Sequence, residues 1–258
     1  MPKRTLFTIG YLFSCVIGCL LTITSHTAAA ATKHIVFVIA EDEYHAGESL
    51  PQFAAQHLTP EAGFKNTFLF QDKNDKYRIP GMEKLATADL AILYVRRRSL
   101  PAEDMTRFRQ LFKSGTPLLA LRTSSHAWDT RGKGPQDRSE WPTFDPEVLG
   151  GNYHGHHGNQ IESSISIVPG MAAHPILASV NAESLTGKGS LYKAAPLEPA
   201  AQVLLVGTIP NQPAEPIFWT HHYQASKVVY TSLGHVGDFA QPAFNQLLLN
   251  TINYLLME

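Results

Sequence analysis

Apolar and polar positions alternate along this chain in two rhythms. Short, nearly continuous apolar runs at Lys33–Ala40, Phe64–Phe70, Asp89–Val95 and Pro117–Leu121 predict strands buried on both faces, as in a parallel sheet. Between them, apolar residues recur at helical spacing. Glu48–Leu58 carries Leu50, Phe53, Ala54 and Leu58, with Pro51 in the first turn, and Pro101–Lys113 carries Met105, Phe108, Leu111 and Phe112, with Gly115 as its stop. Four further strand-like runs follow at Ile161–Val168, Val203–Ile209, Pro216–His221 and Val228–Leu233, and Gln241–Met257 closes the chain as an amphipathic helix. Strands alternating with helices predict an α/β fold with a doubly wound, mostly parallel sheet. Asp129–Pro142, rich in Gly, Pro, Arg and Lys, interrupts the rhythm and reads as an insertion, and Phe144–Leu149 as a short helix beyond it. Without internal repeats or a linker, 32–258 is predicted to be one domain.

The first 31 residues read differently. Lys3 and Arg4 precede a mostly apolar run, Leu6–Ile23, and Thr27–Ala31 offers small residues for cleavage, the layout of a secretory signal peptide. A membrane anchor is the alternative for this run, which Tyr11 and Ser14 weaken. Val16-Ile17-Gly18-Cys19 also resembles a lipobox, which would keep Cys19 as a lipid anchor. Export to the periplasm or medium is the expectation. Both cysteines, Cys15 and Cys19, lie in this segment, so the domain has no thiol nucleophile, disulfide or thiolate metal site. A net charge of −1 gives no electrostatic case for a nucleic-acid partner.

The unusual polar residues follow the ends of predicted strands, where doubly wound sheets bind ligands. Glu41-Asp42-Glu43-Tyr44-His45 follows the first strand, Arg96-Arg97-Arg98 the third, Arg122–His126 the fourth and His235 the last. Gly150–Gly158 sets His154, His156 and His157 among four glycines, a segment poor in core-forming residues and suited to an active-site lip. Each feature also has a plainer reading: a solvated loop for the three histidines, a capping residue for His126, helix-start carboxylates for Glu41 and Asp42, and core packing for Trp128, Trp141 and Trp219. Three consecutive arginines cannot all face one site, so about one of them does.

These segments are similar to one family. Glu41–Tyr44 with Ser49-Leu50-Pro51, Leu121-Arg122-Thr123-Ser124-Ser125-His126-Ala127, Tyr153-His154-Gly155-His156-His157-Gly158, His174-Pro175-Ile176, Trp219 and Thr231–His235 resemble the exported branch of the ThuA-like (trehalose utilisation) family over nearly all of 33–258. The resemblance implies a flavodoxin-like fold of the class I glutamine amidotransferase type carrying the histidine-rich loop. It also implies a role in carbohydrate breakdown beside enzymes that make 3-keto sugars. It does not imply glutaminase activity, because the place of the Gly-x-Cys-x-Gly elbow reads Arg122–His126. An acidic-x-Tyr pattern expected near Tyr192 reads Ser190-Leu191-Tyr192, a departure from the family.

The expected activity is therefore acid–base or metal-assisted chemistry on a disaccharide or its 3-keto derivative, with no organic cofactor. His126, His156, His157, Arg122 and Ser125 are the candidate catalytic residues, and Glu41, Asp42, Tyr44, Arg96, Trp128, Trp219 and Tyr192 the candidate sugar contacts. His154, His156, His235 and Glu41 are candidate ligands for a divalent metal, zinc first. A serine hydrolase using Ser124 or Ser125 and a non-catalytic periplasmic sugar-binding protein are the alternatives.

Overall fold

The computed structural model describes residues 1–3, 31–158 and 161–257. Most of the predicted signal segment, Cys19 included, lies outside them. The chain divides into Met1–Ala30 and Ala31–Glu258, and the second unit forms the fold. Its elements are β1 (Lys33–Ala40), α1 (Ala46–His57), β2 (Phe64–Phe70), β3 (Leu90–Val95), α2 (Ala102–Ser114), β4 (Leu118–Leu121), β5 (Ser163–Ile167), β6 (Thr186–Gly187), β7 (Gln202–Thr208), β8 (Glu215–Tyr223), β9 (Ser226–Thr231) and α3 (Pro242–Leu256). The strand order is β2-β1-β3-β4-β9-β8-β7-β5-β6.

Alternate residues of β1 face opposite sides of the sheet. Ile35, Phe37 and Ile39 pack with Leu50 and Phe53 of α1 and with Phe244, Leu247 and Ile252 of α3. Val36, Val38 and Ala40 pack with Met105, Phe108 and Phe112 of α2 on the other side. Both faces of β1, β3 and β4 are covered, which is why these strands read as apolar runs without alternation. β2, at the sheet edge, is only partly buried, contrary to the expectation of a strand buried on both faces.

The sheet is mixed, which corrects the expectation of a mostly parallel one. β2, β1, β3, β4 and β9 run parallel. The β9–β8, β8–β7, β7–β5 and β5–β6 pairs are antiparallel. Parallel neighbours need a crossover of a dozen or more residues. β8 and β9 are separated by Gln224 and Ala225 alone, a hairpin turn with Gln224 at φ 53°. A short 3-10 stretch, Met82–Thr87, takes the place of a helix between β2 and β3, and another, Arg122–His126, follows β4.

Candidate active site

The C-terminal ends of β1, β3, β4 and β9 open toward one edge, and the order reverses between β1 and β3, where α/β sheets form a crevice. Loops at this edge are held in unusual conformations. His45, Arg97, Arg122 and Arg131 have φ of 56°, 49°, 46° and 57°, left-handed values that surrounding structure must impose on such side chains.

Arg122 is the first residue after β4 and is 1% exposed. Its backbone carbonyl accepts from the Tyr230 hydroxyl at 2.7 Å, and Nη1 donates to Ser232 O at 2.9 Å. The guanidinium carbon lies 4.2 Å from the centre of the Tyr44 ring and 5.0 Å from that of Tyr192, a cation–π cage. Nε and Nη2 have no partner among the described residues. Gly189 lies against this guanidinium so closely that a Cβ there would overlap Nη2.

A file of rings continues from the cage. Tyr44 meets His235 edge-on at 5.8 Å on one side. On the other, Tyr192 packs 4.7 Å from Tyr153, whose ring stacks on His126 at 4.6 Å. Tyr192, where the sequence departs from the family pattern, is therefore central to the site and 3% exposed.

His126 and Asp145 line one cleft of about 190 Å³ together with Arg97, Asp129, Arg131 and Tyr153. Such a volume is below the ~300–1,000 Å³ of sites for drug-sized ligands and suits about one small ring. Burial, and then the cations Arg97, Arg96, Arg131 and Arg122, push the His126 pKa well below the usual imidazole value, so the ring is neutral near pH 7. Its Nδ1 lies 3.2 Å from Ser125 Oγ, which is also 3.4 Å from Arg122 O. A hydroxyl donating to Nδ1 leaves Nε2–H as a donor; one donating to Arg122 O leaves Nε2 as an acceptor.

Asp145 is 6% exposed. Burial raises its pKa to about 7, against one hydrogen bond from Tyr153 N at 2.6 Å that favours the anion. Oδ1 has no partner among the described residues. The Gly150-Gly151 pair makes this geometry possible: Gly150 turns with φ 72° over the His221 ring, and a Cβ on Gly151 would overlap Asp145 Oδ1.

Other expected residues serve different ends. Glu41 accepts from the backbone N–H groups of Glu43, Tyr44 and Ala46 at 2.5–2.7 Å, so its carboxylate shapes the loop that carries Tyr44. Asp42 pairs at 2.6 Å with the buried Arg98, and Arg96 pairs with Glu43 at 2.7 Å. Of the three consecutive arginines, the one that lines the cleft is Arg97, not Arg96. Ser124 Oγ donates to Leu93 O and joins β3 to the turn after β4.

Trp128 and Trp219 are corrections: at 0% and 1% exposure they belong to the core beside Phe108 and Tyr230. Neither can touch a sugar in this conformation. His157 is buried with Nε2 3.4 Å from Glu215 Oε1, while His156 is exposed. His154 lines the cleft, its Nδ1 on Asn152 O at 2.8 Å, and His235 Nδ1 accepts from Gly237 N. The expected metal ligands do not converge, and no group of three His, Cys, Asp or Glu side chains suited to an ion occurs among the described residues. Asp145, Asp129 and Arg131 escaped the sequence reading as site residues, and Tyr153 entered it only as part of the histidine motif. The one available signal for Asp145 was its place in Phe144–Leu149, directly before the glycine pair.

The fold and this cleft define an α/β protein with a histidine–carboxylate site beyond its parallel strands. The ThuA family (trehalose utilisation) matches residues 31–255, and the chain belongs to it. Among solved structures, a ThuA-like protein from Parabacteroides merdae superposes with a TM-score of 0.66 at 17% identity, covering 88% of this chain and 90% of its own. One from Bacteroides uniformis gives 0.62 at 19% identity, covering 90% and 94%. Agd3, a carbohydrate deacetylase, gives 0.51 at 10% identity over 87% of this chain and 32% of its own. At these identities the likeness is one of fold. Comparison with curated protein sequences gives no match. Family membership points to a carbohydrate-related function.

Proposed function

We propose that the protein is an exported enzyme that removes a proton next to the carbonyl of an oxidised sugar, such as a 3-keto disaccharide. The observation that carries this reading is the pairing in one cleft of Asp145, pKa about 7, with a neutral His126. Two titratable groups whose environments push them apart from their usual values are the mark of an acid–base pair. The parallel half, in the order β2-β1-β3-β4-β9, is read as the flavodoxin-like part of the fold, and residues 1–31 as the export signal.

In the reaction, the Asp145 carboxylate takes the proton from C2. The C–H electron pair moves to form the enolate, whose charge collects on the C3 oxygen. His126, as the Nε2–H tautomer, donates to that oxygen, and the arginines of the cleft lower the cost of its charge. Collapse of the enolate breaks the C1–O glycosidic bond, and the departing alcohol takes back the proton from Asp145. The strained position after β4, where elbow enzymes carry their nucleophile, holds Arg122, which supports proton transfer over glutaminase or serine chemistry.

Turnover of a 3-keto disaccharide by the wild type and by Asp145→Asn tests this. A loss of 100-fold or more in kcat is expected, and a variant with full activity sinks the assignment. Metal-assisted chemistry remains the alternative, and stoichiometric metal that disappears in His156→Ala would establish it.

A further inference from the structure

The charges around this cleft do not balance. Arg96 is paired with Glu43. Arg97 is held by Asp129, with Nη1 3.1 Å from its backbone oxygen and 3.5 Å from Oδ2. Arg131 stands at the rim, exposed, and forms no ion pair or side-chain hydrogen bond among the described residues. Arg122, buried behind the rings, likewise has no carboxylate partner there. The other carboxyl group in the lining is Asp145, which is half protonated near neutrality. His154 adds no negative charge. Arg131 thus lacks a paired carboxylate, and burial and then the neighbouring Arg131 charge lower the pKa of Arg97. A cleft with low-dielectric walls concentrates such a field.

We infer that the cleft takes a sugar bearing an anionic group, a carboxylate or a phosphate, seated on Arg97 and Arg131 with its reacting carbons over His126 and Asp145. The planar, multiply donating guanidinium is matched to both oxyanions. This inference rests on the proposed sugar chemistry and narrows its substrate to an acidic sugar derivative. The anion would also supply the counter-charge that Arg131 lacks.

The test is calorimetric titration of the full domain with glucose, glucuronate, glucose 6-phosphate and inorganic phosphate at low salt, for the wild type and Arg131→Gln. Because Arg131 is exposed, its replacement should leave folding intact, which a matching thermal transition would verify. At least one acidic sugar is expected to bind about tenfold more tightly than glucose, an advantage that Arg131→Gln largely abolishes. Preference for glucuronate marks a sugar acid and preference for glucose 6-phosphate a sugar phosphate. Phosphate binding as tightly as either sugar overturns the inference, as does equal binding of neutral and acidic sugars, an unchanged preference in Arg131→Gln, or no binding by any probe. Turnover of a neutral 3-keto disaccharide without any acidic preference would refute the inference and keep the proposed reaction. Acidic preference with no turnover of any oxidised sugar would do the reverse.

Discussion

Asp145 shows how one residue's burial couples the proposed chemistry to stability. Its pKa in the fold, about 7, is above the usual 3.8, so between those values the folded state holds a proton that the unfolded chain has released. Stability from this group is therefore complete below about pH 4 and is lost as pH rises through 7, by an amount on the order of a few kcal/mol. Asp145→Asn should raise Tm at pH 8 while it removes turnover, and a lower Tm at that pH would contradict the burial account. Wild-type kcat should rise with pH through about 7 as the carboxylate forms, a limb that pH–rate profiles of the variant should lack. His126 acts in the opposite sense. Its folded pKa is depressed, so its contribution is present above about 6.5 and is lost as pH falls below that. Gly189 sets another single-residue limit: a Cβ would strike the Arg122 guanidinium. Gly189→Ala should displace it, lower Tm by several degrees and cut turnover at least tenfold, read by thermal melts and steady-state kinetics.

At the scale of elements, the histidine loop is a strap sewn to the segment before β7. His154 N donates to Lys193 O, Lys193 N to Gly155 O and His157 N to Leu191 O, at 2.8–3.1 Å. Glu215 of β8 anchors both sides: Oε1 faces His157, and Oε2 accepts from the backbone of Ala194 and Ala195. Trp219 Nε1 donates to Leu149 O at 2.6 Å and fixes the turn that carries Asp145. Glu215→Ala leaves the buried Ala194 N–H, the part-buried Ala195 N–H and an imidazole without their acceptor. It is expected to cost about 3 kcal/mol in urea denaturation, with a larger loss of kcat than Tm alone explains. The histidines and glycines made the strap visible in the sequence. Its anchor was not, because Glu215 lies 58 residues from His157 and has no local pattern to reveal it.

At the scale of the domain, two apolar layers hold the sheet from either side, and the candidate site lies beyond the C-terminal ends of its parallel strands. Phe108 is fully buried between α2 and the sheet and touches Phe112, Trp128 and Phe144. Phe108→Ala should cost about 3–5 kcal/mol in denaturant unfolding, and a cost under 1 kcal/mol would show that this layer repacks freely. Trp128 and Trp219 belong to the same layer. Their aromatic character alone could not separate packing from sugar contact, since both uses favour the same side chain.

Apolar periodicity located all three helices and every strand but β6: β1 and β2 fall where the runs fall, α2 and α3 differ by a residue at each end, α1 starts two residues earlier than its pattern, and β9 is displaced by two. Those patterns arise from burial along a single element, which is a local property. The polar loops at strand ends were likewise legible as neighbours at one edge, because chain direction in a parallel sheet places them together. Only tertiary structure decided the rest. Pairing partners turned half of the sheet antiparallel, and distance across the chain chose Arg97 over its neighbours. Burial from several elements moved Asp145 to neutrality and took Trp128 and Trp219 into the core. Each of these depends on which distant groups displace water from a side chain, and desolvation has no signature in the order of residues.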